Sequence, residues 1–245
     1  MTATFARWIK HFPGGGGAGA TVLFPHAGGA AAAYRPLAKA LSDRGVDTYI
    51  VQYPQRADRL AHPAAATVAE LAGQLYEAGD WAQVGPLRLF GHCMGAVVAF
   101  EFACVAERHG VPVTQLWASA GQAPSTVAES PALPTSDQEV LADMLDLGGT
   151  DPRLLDDEDF VELLVRAVQA DYRALDRYSC ATDVRIAADI HAVAGERDHR
   201  VAREQMQRWE THTTGRFALS LFDGGHFYLT DHLDSVVQLV SADGR

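Results

Sequence analysis

The chain has 245 residues, 48% of them hydrophobic and 21% charged, which suits one large globular domain and excludes a disordered or fibrous chain. Its net charge of −11 comes without any basic run, so nucleic acid is not an expected partner. The three cysteines, Cys93, Cys104 and Cys180, are too few for a disulfide framework and suit a reducing cytoplasm.

The first residues carry no signal-peptide core. No apolar run reaches the roughly 18–20 residues of a membrane span, so a membrane is not an expected partner either. Residues 14–20, GGGGAGA, contain G-x-G-x-x-G at Gly14, Gly16 and Gly19. A phosphate-binding loop of that form follows a strand and opens a helix. This one precedes a strand at 21–24, so it reads as a turn after 5–12. The loop Pro25-His26-Ala27-Gly28-Gly29 follows, then a helix over 34–41 and a strand over 46–53 (VDTYIVQY). Val68, Leu71 and Leu75 recur at helical spacing within 67–78. A strand at 87–90 leads through Gly91-His92-Cys93-Met94-Gly95 into a helix, and 113–119 is a further strand.

Residues 123–182 break the alternation. They hold Pro124, Pro131 and Pro134 and then two or three acidic, amphipathic helices. Strands at 188–194 and 217–222 and helices at 201–211 and 228–240 complete the chain. Alternating βα units imply a mostly parallel sheet flanked by helices. The expected organisation is a core formed by 1–122 and 183–245, with 123–182 as a helical lid over the C-terminal ends of the strands, where α/β sites lie.

Strand, sharp turn and helix around Gly91-His92-Cys93-Met94-Gly95 form the setting of a nucleophile elbow, with a thiol where Ser is usual. In the α/β-hydrolase order an acid and then a His follow. The loop after 188–194 offers Glu196 and Asp198, and the loop after 217–222 offers Asp223 and then His226. His199 adjoins Asp198 as a rival base, His191 lies in a strand, and His92 points away from the nucleophile. Cys104, about three turns along the same helix, reads as core. No metal-binding spacing occurs. An oxyanion needs N–H donors. Met94, at a helix start, supplies one, and Ala27, at the first strand–loop junction, is the candidate for the other.

These residues resemble the type II thioesterases, α/β-hydrolases that accompany polyketide and nonribosomal peptide synthases. The blocks that carry the likeness are Phe24-Pro25-His26-Ala27-Gly28-Gly29, Gln52-Tyr53-Pro54-Gln55-Arg56-Ala57-Asp58-Arg59, the elbow with its following Ala96, Leu147-Gly148-Gly149-Thr150, Gln169-Ala170-Asp171-Tyr172 and Gly224-Gly225-His226-Phe227. The resemblance selects Asp198 as the acid and so implies a Cys93–His226–Asp198 triad, with His26, Gly28, Gly29 and Tyr34 around the substrate. It implies no cofactor, because the acyl group arrives on the phosphopantetheine arm of an acyl or peptidyl carrier protein, and it implies a monomer. The chain departs from the pattern at Cys93 for Ser and at Gln55 for Gly. It also lacks arginine in Gly121-Gln122-Ala123-Pro124 and lacks Pro after Asp198.

A thiol has a pKa of about 8.5 and is lowered by His⁺ or a helix start. Its acyl-enzyme is a thioester, still reactive towards amines and thiols. The Cys therefore points to acyl transfer or cyclisation as well as hydrolysis, or it is a replacement of Ser that traps the acyl-enzyme. A carrier-independent esterase and a catalytically silent binding module remain alternatives. Docking of an acidic carrier on this acidic chain needs local basic groups, either Arg35, Arg56 and Arg59 or Arg153, Arg166, Arg173 and Arg177.

Overall fold

The structure, a computed structural model, describes residues 3–15, 19–149 and 156–242. Gly16 of the glycine run, Thr150 and Arg153 lie outside these residues. Seven strands form one sheet in the order β1-β3-β2-β4-β5-β6-β7. They are β1 (Ile9–Phe12), β2 (Ala20–Phe24), β3 (Asp47–Val51), β4 (Leu87–His92), β5 (Val113–Ser119), β6 (Asp189–Gly195) and β7 (Phe217–Phe222). All neighbours run parallel except β1, which pairs antiparallel with β3. The sequence pattern places no strand at β1. Its four residues, IKHF, are too short to declare one alone, and only the pairing of Ile9 with Val51 makes them an edge.

The central strands are apolar throughout because helices cover both faces; β2 is buried at all five positions. On one face, helices α3 (Val68–Glu77) and α4 (Met94–Arg108), with α1 (Ala3–Trp8), bury Phe24, Leu89, Phe100 and Phe102. On the other, α2 (Arg35–Asp43) and the C-terminal α9 (Leu233–Ala242) bury Leu37, Leu41, Phe90 and Trp117. The helix expected at 67–78 is α3, and its start is set by Thr67, whose hydroxyl accepts the Glu70 N–H at 3.1 Å. The helix expected at 34–41 begins at Arg35, after a 3-10 turn at Ala31–Tyr34. That expected at 201–211 is a short α7 (Arg203–Gln207) running into a 3-10 turn, and 228–240 divides at His232 into α8 (Tyr228–Asp231) and α9.

Between β5 and β6 the described residues hold no named strand. A 3-10 turn (Pro124–Glu129) is followed by α5 (Asp137–Leu147) and α6 (Glu158–Asp176). Ser136 and Glu139 form a reciprocal cap at the start of α5, and Asp157 caps α6. Val140, Met144, Val165, Val168 and Tyr172 give these helices their own small core, with Ala27 packed against it.

A buried arginine fixes how that helical pair sits. Arg56 donates to both carboxylate oxygens of Asp171 on α6, at 2.7 and 2.8 Å, and the same carboxylate accepts the Gly28 N–H at 2.8 Å. Both side chains are under a tenth exposed. Gly28 is required at its place. Its φ is +74°, and a Cβ there would fall 2.3 Å from Val168 Cγ2, so α6 could not approach the loop. Arg59 lies over the Trp8 ring at 3.5 Å and donates to the Gln52 carbonyl at 2.8 Å. Arg56 and Arg59 are candidates for carrier docking by sequence; the structure corrects this, since both are buried and committed to interior partners.

Removing one partner of a buried pair leaves an uncompensated charge, at a cost of about 3–5 kcal/mol. Asp171→Ala and Arg56→Ala should each lower the unfolding free energy by that order in urea titrations. The double variant should lose less than the sum, because the two changes delete one shared interaction.

Candidate active site

Cys93, Asp198 and His226 follow the C-terminal ends of three parallel strands. β4 ends at His92, Cys93 turns the chain with φ +57° and ψ −126°, and α4 begins at Met94. This left-handed conformation is strained for a residue with a Cβ. It is held by the Cys93 N–H, which donates to the Ser119 carbonyl at 2.8 Å, and by the Ala96 N–H, which donates to the Cys93 carbonyl at 3.0 Å. Gly95 lets the helix start pack on β2, where a Cβ would sit 2.1 Å from the Phe24 carbonyl oxygen. The result is a half-buried thiol at the tip of a rigid bend.

β6 delivers Asp198 and β7 delivers His226. His226 Nδ1 donates to Asp198 Oδ2 at 2.9 Å, with both side chains shielded from solvent. Asp198 Oδ1 accepts the N–H groups of Arg200 at 2.8 Å and Val201 at 3.3 Å. The carboxylate is thus oriented by its own loop, and it in turn fixes the ring that would face the sulfur. Glu196 and Asp223 do not take this place: both are exposed, and Asp223 pairs with Arg197. His199 turns outward to Asp146 on α5, at 2.8 Å.

Charge couples the thiol and the imidazole. Burial by itself pushes the Cys93 thiol up, but the His226 charge outweighs it, helped by the Met94 N–H and Arg200, and the thiol titrates below its ordinary value. Burial pulls His226 down, and the Cys93 charge together with the Asp198 bond reverses this and raises it. His226 Nε2 is shielded from solvent, and both its charge and its side-chain interaction with the sulfur act on the thiol. The shifts favour a thiolate beside an imidazolium.

The loop after β2 has committed most of its donors. The His26 N–H donates to the Tyr34 hydroxyl at 3.2 Å, Gly28 N–H to Asp171, and Gly29 N–H to the His26 carbonyl at 2.9 Å. Among the described residues the Ala27 N–H has no such partner. Ala27 lies on the walls of the cavities at Cys93, where the Met94 N–H faces the sulfur. Burial, with the charges of His226 and Arg56, pushes His26 down to about 3, so it is neutral, and its Nδ1 lies 2.8 Å from the Tyr34 hydroxyl. His92 is fully buried. Its Nδ1 lies 2.9 Å from Ser119 Oγ, and its ring packs 5.3 Å from that of His226, so it forms the floor beneath the pair.

Two cavities meet at Cys93. The first, about 620 Å³, extends past Met94, Val97 and Gln122 to Arg200. The second, about 590 Å³, runs past His226, Gly28, Gly29 and Gln55 to Leu60 and Phe160. Ala27, Leu147 and Tyr172 border both. Tyr34 lies one layer deeper, behind His26. On the wall of the first cavity Asp143 accepts from the Tyr172 hydroxyl at 2.6 Å and from Arg200. This network joins α5, α6 and the Asp198 loop. Sequence reasoning did not find Arg200 or Asp143, because neither sits in a motif and only the fold brings them together. Among the described residues no three His, Cys, Asp or Glu side chains converge as a metal site requires, and no helix is long and apolar enough to cross a membrane.

A mostly parallel seven-stranded sheet, with an elbow after β4 and an acid and a His after β6 and β7, is the α/β-hydrolase arrangement. Within that class the chain belongs to the thioesterase domain family, whose model matches residues 21–243. Over 241 residues it is 68% identical to phenyloxazoline synthase MbtB of Mycobacterium tuberculosis, covering 98% of this chain but 17% of that protein. It is 37% identical to thioesterase PikA5 of Streptomyces venezuelae, covering 96% of this chain and 84% of that one. The type II thioesterase BorB from the borrelidin biosynthetic cluster superposes with a TM-score of 0.85 at 37% identity, covering 98% of each chain. The family and these relatives support a thioesterase role, and hence a hydrolase.

If the imidazolium is what lowers the thiol, His226→Asn should move the Cys93 titration up, because burial then acts on the thiol with less opposition. Less thiolate is then present at pH 7, so alkylation by iodoacetamide should slow at neutral pH and recover only in alkaline buffer. Rates measured from pH 5 to 10 on both proteins check this; superimposable profiles would dissolve the pairing.

Proposed function

We propose that this chain cleaves acyl thioesters carried on the phosphopantetheine arm of an acyl or peptidyl carrier protein, through an acyl-enzyme on Cys93. The observation that carries the reading is a strained thiol, backed by His226 and Asp198, at the meeting point of two cavities. The relatives' place in polyketide and nonribosomal peptide biosynthesis supplies the carrier. One chain is the working unit, since it supplies every group invoked. A reactive thiol suits a reducing compartment. Residues 123–182 act as a lid, as the shared walls Leu147 and Tyr172 suggest.

In the first step the Cys93 thiolate attacks the carbonyl carbon, and the oxyanion is held by the Ala27 and Met94 N–H groups. Collapse breaks the bond to the arm's sulfur, and His226 gives that sulfur its proton and becomes neutral. In the second step neutral His226 takes a proton from water, an amine, a hydroxyl or another thiol as it attacks the acyl group. The Cys93 thiolate leaves, and the ion pair is restored. Asp198 keeps the ring oriented and stabilises its charge throughout. The 68%-identical relative is named for a phenyloxazoline, and we extend that class, an aryl-azoline acyl group, to the cargo of this chain.

The acceptor is where the thiol matters. A thioester acyl-enzyme lies close in energy to the carrier thioester and keeps its reactivity towards amines and thiols, so Cys93 favours transfer beside hydrolysis. For carrier docking, Arg35 is the member of the entrance cluster that remains exposed, and Arg173 and Arg177 are exposed on the lid, where Arg166 pairs with Glu162.

Intact-mass measurement after mixing with acyl-loaded carrier should show the acyl group on the wild type and none on Cys93→Ala, whose turnover should fall by about a thousandfold or more. Cys93→Ser should shift products from transfer towards the free acid; an unchanged ratio would remove the purpose assigned to the thiol. Faster turnover of simple esters than of the carrier thioester would favour a carrier-independent esterase, and no labelling by any acyl donor would favour a binding module.

A further inference from the structure

The two cavities differ in the groups they hold, and the chemistry assigns them. The departing sulfur takes its proton from His226, so the arm must lie beside that ring. His226 borders the second cavity and not the first, whereas Met94, a donor for the oxyanion, borders the first and not the second. The arm therefore occupies the second cavity and the acyl group the first.

The second cavity is largely apolar along Leu60, Phe160, Leu163 and Leu164. A pantetheine arm carries secondary amides, which lose their hydration in such a passage unless the wall replaces it. Most polar wall groups are already committed. Gly28 N–H goes to Asp171, Gly29 N–H to the His26 carbonyl, and the Arg56 guanidinium to Asp171 and the Pro54 carbonyl. Gln55 is different. It borders the cavity, and its carboxamide oxygen is shielded from solvent with no hydrogen-bond partner. A carboxamide both donates and accepts, which is the complement of a secondary amide.

The backbone beneath it is rigid. Gln55 has φ +62°, its N–H donates to the Arg59 carbonyl at 3.0 Å, and the next residue is locked by the Asp171 pair. A left-handed position that holds Gln rather than Gly keeps a side chain where the backbone would do better without one. We infer that Gln55 is a specificity-determining residue that reads an amide of the carrier's arm. This rests on the carrier-thioester reading above.

The test compares one acyl group presented as its pantetheine thioester and as its propanethiol thioester, which has no amide. The readout is the ratio of kcat/KM for the two. In the wild type the ratio should favour pantetheine. Gln55→Gly should lower it by about tenfold, with the effect in KM, the size expected of one lost hydrogen bond. Gln55→Asn, which keeps the carboxamide and tolerates the left-handed backbone, should recover part of it. Thermal unfolding should show Gln55→Gly at least as stable as the wild type, which separates lost recognition from damage. An unchanged ratio in Gln55→Gly, with the wild type forming its acyl-Cys93, overturns this role alone. Absence of acyl-Cys93 in the wild type overturns the carrier-thioester reading and this role with it.

Discussion

A single buried carboxylate ties the site together. Asp171 stands on a helix inserted between two strands of the sheet, yet it binds Arg56 from the loop after β3 and the Gly28 N–H from the loop after β2. An ion pair in a low-dielectric interior is favourable only when its geometry is good and the remaining lone pairs are met. Here the guanidinium meets the carboxylate in two-pronged fashion and a backbone N–H takes a further position, so the arrangement tolerates little drift. One consequence is local: with the Gly28 N–H committed, the Ala27 N–H is left without a hydrogen-bond partner among the described residues. Another is larger in scale. The insertion cannot swing as a free flap without exposing or unpairing a charge.

The elbow shows how strain and electrostatics are combined. Cys93 adopts a backbone conformation that costs energy, and it persists because Ser119 and the start of α4 hold both sides of it. The reward is a sulfur lifted clear of the sheet, next to an imidazole whose other nitrogen is bound to a fixed acid. Burial opposes charge on either partner alone. Together they reverse that effect, because two opposite charges in a dry site stabilise each other more than the same pair in water. A thiol in place of the usual hydroxyl is the more acidic group, so opposite charges beside His226 are easier to reach. The cavity that ends at Arg200, Asp143 and Tyr172 adds to this, since the positive guanidinium helps to lower the thiol.

Much of this was legible in the residues. The βα alternation, the break over 123–182, the elbow and the order acid then His are local signals, carried by apolar runs and by glycines at fixed distances. They marked out the parallel sheet and named Cys93, His226, Ala27 and Met94 as candidates, while the resemblance selected Asp198. The choice among Glu196, Asp198 and Asp223 was not local, because three carboxylates in two adjacent loops look alike until the loops are folded. The arginines were misread for a related reason. Arg56 and Arg59 sit in a polar, proline-bearing stretch that reads as surface, and their burial depends on Asp171, more than a hundred residues away, and on Trp8.

The sequence by itself determined most of the strands and helices, the edge strand β1 excepted, and which side chain would stand at the sharpest bend, since hydrophobic period and glycine placement act over a few residues. The tertiary structure alone decided which carboxylate reaches His226, which loop N–H stays unbonded, that two cavities converge on the sulfur, and which arginines are lost to the interior. Those outcomes depend on distances between segments far apart in the chain, and such distances exist only once the sheet has ordered its strands and the insertion has been clamped onto it.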